Sequence, residues 1–148
     1  MILIKVQRED FDIGVELATL TAGDRQVGGV ASFTGLVREM GGPNASMTLE
    51  HYPGMTEKQL RAIAADAMQR WSLSKALIIH RYGRLLPGDR IVLVATASAH
   101  RAAALQSCAF LIDWLKTRAP FWKLEDDGHT QTWVAAKESD DLAADRWS

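Results

Sequence analysis

Cysteine is nearly missing from this chain. Cys108 stands alone among 148 residues, so no internal disulfide can form and nothing points to an oxidising compartment. Long apolar runs are missing as well. The longer ones, such as 76–79 and 91–97, fall far short of the roughly 20 residues that cross a bilayer. The opening Met1-Ile-Leu-Ile-Lys-Val6 has no basic segment ahead of it and no small-residue cleavage site behind it. It reads as a first strand and not as a signal peptide, and the expected location is the cytoplasm. Neither sign of charge dominates. Seventeen Lys and Arg face eighteen Asp and Glu, which excludes a broadly basic nucleic-acid binder. Walker-type and Gly-x-Gly-x-x-Gly loops are absent. The histidines His51, His80, His100 and His129 form neither a His-x-x-x-His pair nor a Cys/His cluster, so no metal and no bound cofactor are expected.

What is present has the balance of an ordinary globular protein, with 47% apolar and 24% charged residues. No repeat or linker-like stretch divides it, and it is expected to form a single domain over 1–148. Charge is unevenly placed, however. Arg101, Lys116, Arg118 and Lys123 are opposed within their segment by Asp113, and a run of carboxylates follows. A local cationic cluster in a near-neutral chain suits a small anion better than a long polyanion.

Periodicity supplies the elements. Residues 26–39 alternate loosely and read as a strand, with Gly28, Gly29 and Gly35 marking a bulge or a close backbone approach. Gly41-Gly-Pro-Asn44 is a turn, and 46–52 is a second strand. Thr56 followed by Gln59 has the form of a capping box opening a helix. Leu60, Ile63, Ala64, Ala67, Met68 and Trp71 give that helix one buried stripe. Two strands, 75–82 and 90–98, flank a turn at Pro87-Gly-Asp89. A second helix is expected over about 100–118, with Leu105, Cys108, Ala109, Ile112 and Leu115 as its apolar face, ended by Ala119-Pro120. Short strands at 121–125 and 132–135 and a brief helical turn complete the chain. Strands and helices mix without regular alternation, which predicts α+β with mainly antiparallel pairing.

Lys116 is the most informative residue by pattern. It continues the row of Leu105 and Ile112, so its amine is either a snorkelling head on a packed stem, the commoner outcome, or a partly desolvated group at a pocket wall. Lys123 follows the stiff Pro120-Phe-Trp122 segment, and a tight reversal there would return it towards Lys116. Two ammonium groups in one concavity call for an anion, and a phosphate is the simplest. His100 and Arg101 open the second helix, where free N–H groups, the helix dipole and a forked guanidinium favour phosphate. Otherwise His100 satisfies a local cap. Arg38, at the end of its strand beside the glycine loop, is either a surface cation or a ligand contact. Cys108 reads as a core thiol, so any sulfur handled here must come from elsewhere.

Several ordered stretches resemble the large, catalytic subunit family of molybdopterin synthase. They are Ser32-Phe-Thr-Gly-Leu-Val-Arg38, Leu49-Glu-His-Tyr-Pro-Gly-Met55, Ile79-His-Arg-Tyr-Gly83, Pro87-Gly-Asp89, Ser98-Ala-His-Arg101 and Leu115-Lys-Thr-Arg-Ala-Pro-Phe-Trp-Lys123, then Glu138-Ser-Asp140 and Arg146-Trp147. The resemblance implies an α/β hammerhead-type fold with an additional antiparallel β-sheet. It implies a homodimer within a heterotetramer, with a ubiquitin-like small subunit at each end. The small subunit's C-terminal Gly-Gly thiocarboxylate would give sulfur to cyclic pyranopterin monophosphate, forming the molybdopterin dithiolene. By the same resemblance Lys116 and Lys123 are the catalytic lysines. Leu36, Val37, Arg38, His100, Arg101, Leu124 and Glu125 would join them in the substrate pocket, His100 and Arg101 across the dimer interface. Lys137 stands where the family pattern has arginine, so it is left outside the site. Two other readings use the same cations: a non-catalytic module that binds a partner's tail, and a small phosphate-ester enzyme or RNA-binding domain.

Overall fold

The computed structural model describes residues 1–39, 41–42, 44–126, the main chain of 131–134, and residues 142–143 and 145–147. The elements are β1 (Ile2–Gln7), α1 (Ile13–Thr21), β2 (Gly29–Leu36), β3 (Ser46–His51), α2 (Met55–Trp71) and β4 (Lys75–Arg81). After them come β5 (Gly83–Leu85), β6 (Arg90–Ser98), α3 (Arg101–Thr117), β7 (Phe121–Asp126) and β8 (Gln131–Val134). They build two four-stranded sheets, ordered β1-β4-β6-β2 and β5-β3-β7-β8. The α+β class and the second antiparallel sheet are as expected.

The first sheet is covered on both faces, which explains the unbroken apolar runs in β4 and β6. Ala76, Ile78, Val92 and Val94 face α2 and α3, where Leu60, Ala64, Ala67, Ala104, Cys108 and Leu111 meet them. Leu77, Ile79, Leu93, Ala95 and Ala97 point the other way, to Phe11 and Leu20 around α1. That helix was not expected from the sequence. It starts where the Asp12 carboxylate accepts from Val15 N at 3.0 Å. Pairing of β1 with β4 is parallel, an exception to the antiparallel rule seen elsewhere in both sheets.

Two helix details differ from expectation. The α2 N-cap is Gly54, and the Glu57 carboxylate reaches back to accept from its N–H at 2.6 Å. Thr56 lies inside the first turn, fully buried, with its hydroxyl donating to the Tyr52 carbonyl at 2.7 Å. In α3 the buried residues are Ala104, Ser107, Cys108, Phe110 and Leu111, while Leu105 is 61% exposed. Small residues bring α3 close to β6, where Thr96 Oγ1 donates to the Ala104 carbonyl at 2.7 Å.

The glycines of 28–35 act as the pattern suggested. A side chain on Gly28 would collide with the Ala99 carbonyl, and one on Gly35 would meet Val92 Cγ1 at 2.8 Å. The β2–β6 register shifts between Gly35 and Leu36, so the strand ends before Arg38. The Pro87-Gly-Asp89 turn then pins the next residue. Val37 N donates to the Asp89 carbonyl at 2.8 Å, and Gly88 N donates to the Val37 carbonyl at 2.7 Å.

Candidate active site

The end of α3 and the start of β7 place the two lysines. Arg118 N donates to the Trp114 carbonyl at 2.8 Å to close the helix, and Phe121 N donates to the Ala119 carbonyl at 2.8 Å. The chain therefore reverses within three residues, and β7 enters the second sheet antiparallel to β3. Phe121 and Lys123 are two residues apart on one strand, so they share a face. Phe121 stacks on His80 of β4 at 3.8 Å with the rings 16° apart.

His80 is buried, and its Nδ1 lies 2.8 Å from the Arg81 carbonyl. Burial pushes its imidazole down to about 4, opposed by the Arg81 carbonyl and helped by the positive charges of Lys116 and His51. The charge of Lys116 is therefore felt at the ring that stacks on Phe121. Lys116 is exposed, contrary to the core-stripe reading, because the buried row of α3 runs one position away. Lys123 lies opposite Leu49 and pairs with Glu125 at 3.6 Å. Around that face, His51 sits 4.4 Å from Tyr82 and 6.0 Å from Phe121, with its Nδ1 3.0 Å from Thr56 Oγ1.

Other expected site residues divide by position. Val37 is buried with Met47, Leu49 and Leu85, on the face of the second sheet that carries Lys123 and Glu125. Leu36 and Arg38 flank it, both exposed. Leu124 alternates to the opposite face, beside Thr48 and Trp133 in register. His100 and Arg101 do not join this group within one chain. They open α3, and Gly29 at the far end of β2 lies against Arg101. The rise of α3 from Arg101 to Lys116 is about 22 Å at 1.5 Å per residue. The four cations at 38, 101, 116 and 123 therefore do not share one cleft in a single copy. Lys137 and the Glu138-Ser-Asp140 motif lie outside the described residues.

Sequence reading missed the ring cluster of His80, Phe121, His51 and Tyr82. Its trace was His80 placed inside the apolar run of β4. Cys108 behaves as the core thiol it was read to be: it is buried, and burial pushes its thiol up to about 11. Among the described residues no group of acidic, histidine and cysteine side chains could hold a metal ion, and no helix is long and apolar enough to cross a membrane.

The neutral His80 gives a pH signature. Above pH 6.5 the ring is uncharged in both folded and unfolded chains. Below that, the unfolded chain binds a proton that the folded ring refuses until about pH 4. Stability is therefore expected to fall as pH drops from 6.5 towards 4, by about 3 kcal/mol from this residue. Urea unfolding at pH 7 and pH 4.5 checks it, and His80→Phe should lose much less over the same interval. Equal losses in the two proteins would contradict the assignment.

A family model described as MoaE protein matches residues 6–118. The molybdopterin synthase catalytic subunit of Pseudomonas aeruginosa is 53% identical over 146 residues, covering 97% of each chain. A solved structure, the molybdopterin biosynthesis MoaE protein from Burkholderia ambifaria, superposes with a TM-score of 0.86 at 50% identity, covering 99% of this chain and 98% of that one. The protein–protein complex of subunits 1 and 2 of molybdopterin-converting factor from Helicobacter pylori shares the fold at a TM-score of 0.71. Its matching chain is 20% identical, with 93% of this chain and 90% of that one covered. The class so defined is that of the catalytic, sulfur-transferring subunits of molybdenum cofactor biosynthesis. The chain belongs to the MoaE family.

Proposed function

We propose that the Lys116–Lys123 end of the molecule receives the C-terminal Gly-Gly thiocarboxylate of a ubiquitin-like small subunit and passes its sulfur to cyclic pyranopterin monophosphate. One observation carries the reading: a three-residue reversal joins the two lysines next to the stacked rings of buried His80 and half-buried Phe121, on the sheet face that also carries Leu49. Fixed cations hold the phosphate and the thiocarboxylate together, so positioning replaces a slow bimolecular encounter. As sulfur attacks a pterin carbon and the ring phosphate opens, the amines offset the developing negative charge and relay protons. Water then releases the small subunit as a plain carboxylate.

A second copy of the chain completes the site. His100 and Arg101 stand far from their own lysines, and β2 beside them is an edge strand with Val30, Phe33 and Leu36 exposed. An apolar sheet edge of this kind favours pairing with another chain. A homodimer through it would bring His100 and Arg101 of one copy towards the lysines of the other. With a small subunit at each end, the assembly is a heterotetramer.

The test mixes the purified chain, thiocarboxylated small subunit and cyclic precursor, and assays dithiolene product. Product formation is expected. Tight small-subunit binding with no product would instead make the chain a tail-binding module.

A further inference from the structure

We infer that His80 is a positioning residue for the lysine pair: its buried ring, anchored on the Arg81 carbonyl, braces Phe121, and through it the reversal joining Lys116 to Lys123. This inference rests on the sulfur-transfer reading of the two lysines.

Three observations meet at this ring. First, His80 belongs to β4 at the centre of the first sheet, buried on both faces, whereas Phe121 opens β7 of the second sheet. Their stack at 3.8 Å is thus a contact between the rigid core and the strand that carries Lys123. Second, the ring is fixed in rotation. Nδ1 of the neutral imidazole donates to the Arg81 carbonyl at 2.8 Å, which leaves the lone pair on Nε2. Third, the charged and titratable groups felt by the ring are Lys116 from α3 and His51 from β3, both cationic when protonated. His51 is in turn held by Thr56 Oγ1 at 3.0 Å and packed on Tyr82.

An apolar residue would fill this place at lower desolvation cost. A histidine there adds two properties that leucine or phenylalanine lacks. It fixes its own orientation by a hydrogen bond, and it offers an acceptor without adding negative charge. A carboxylate beside Lys116 would neutralise it and repel a phosphate. A second cation would push the ammonium away. The neutral imidazole leaves the charge of Lys116 available to an anion while holding the hinge of the lysine pair in place.

The test uses the whole assembly, with thiocarboxylated small subunit and cyclic precursor, and two variants. His80→Phe keeps a flat ring against Phe121 but removes both nitrogens. His80→Gln keeps a polar group but removes the stack. Both are expected to lower kcat roughly tenfold, the scale of a small misplacement of catalytic groups. KM for the precursor should stay within about twofold, and the alkaline limb of the kcat–pH profile should move. A purely structural role would lower the melting temperature and leave that limb where it is, and this outcome overturns the inference.

A second measurement needs neither variant at His80 to fold. The His80 ring is titrated by NMR in the wild-type chain and in Lys116→Met. Loss of the lysine charge should raise the imidazole pKa, and an unchanged titration would deny that the two groups meet. If the wild-type assembly forms no product, the sulfur-transfer reading itself fails, while the NMR result still decides whether the ring and the lysine are coupled.

Discussion

Lys116→Ala is expected to cut dithiolene formation by about a hundredfold or more while leaving the fold and small-subunit binding almost unchanged. The magnitude follows from removing one preorganised charge from the place where negative charge develops. The structural cost is small because the side chain is exposed, and surface changes of this kind stay near 0.5 kcal/mol. Single-turnover assays with the thiocarboxylated partner separate this from a binding defect, since small-subunit affinity should hold within a few-fold. Lys116→Arg retains charge without the compact ammonium and should recover part of the rate. Wild-type turnover in the alanine variant would remove Lys116 from the mechanism. Lys123→Ala should differ in kind. It takes away the 3.6 Å partner of Glu125, leaving a carboxylate to face the incoming phosphate. A rise in KM for the precursor should then accompany the fall in kcat.

Mixing two inactive variants should restore activity. Lys116→Ala and Arg101→Ala each disable every site in their own homodimers. On the proposed dimer, in which each site would draw its lysine from one copy and its arginine from the other, a heterodimer formed between them holds one doubly altered site and one intact site. After exchange of subunits in an equal mixture, about a quarter of all sites should be intact by the symmetry of the dimer. Recovery to about a quarter of wild-type turnover is the expected result, developing on the timescale of subunit exchange. No recovery after proven exchange would place Arg101 and Lys116 outside a shared site. The roughly 22 Å rise of α3 between the two residues makes this the sharpest test of the dimeric arrangement.

Much of the fold was legible because local signals agreed with it. The α3 boundaries followed from Pro120 and the apolar spacing, and β6 matched its expected span of 90–98. Other parts were set by contacts distant in sequence. Pairing of β1 with β4 joins residues some seventy positions apart, and no local pattern announces that it is parallel. The helix α1 is nine residues long, and only Leu20 in it is buried, so its periodic signal is short. The α3 face departed from expectation at Leu105, while Cys108 is buried and Ile112 and Leu115 pack on the core as expected. Close approach to the sheet favours Ala104 and Ser107 and leaves Leu105 outside. A leucine at the surface is ordinary, since burial of apolar residues is a one-way rule.

The lysines of the candidate site stood out in the sequence, and the scaffold around them did not. Lys116 and Lys123 stood out as charge around a proline-aromatic turn, and the structure supplies the reversal between them. His80 carried no motif of its own. Its place beside Phe121 depends on how two sheets meet, which the sequence of neither strand encodes alone. His100 and Arg101 were read at a helix start and are found there. Their distance from the lysines, not their residue type, is what led to the proposed second copy.

Cys108 gives the chain a built-in stopwatch. Its thiol is clamped between α3 and β6, with Sγ 3.9 Å from the Val94 carbonyl, and burial keeps it protonated at neutral pH. Alkylating reagents attack the thiolate, so modification waits for α3 to lift away from the sheet. With no other cysteine in the sequence to confuse the signal, the labelling rate of the isolated chain reports opening of the helix that carries Lys116.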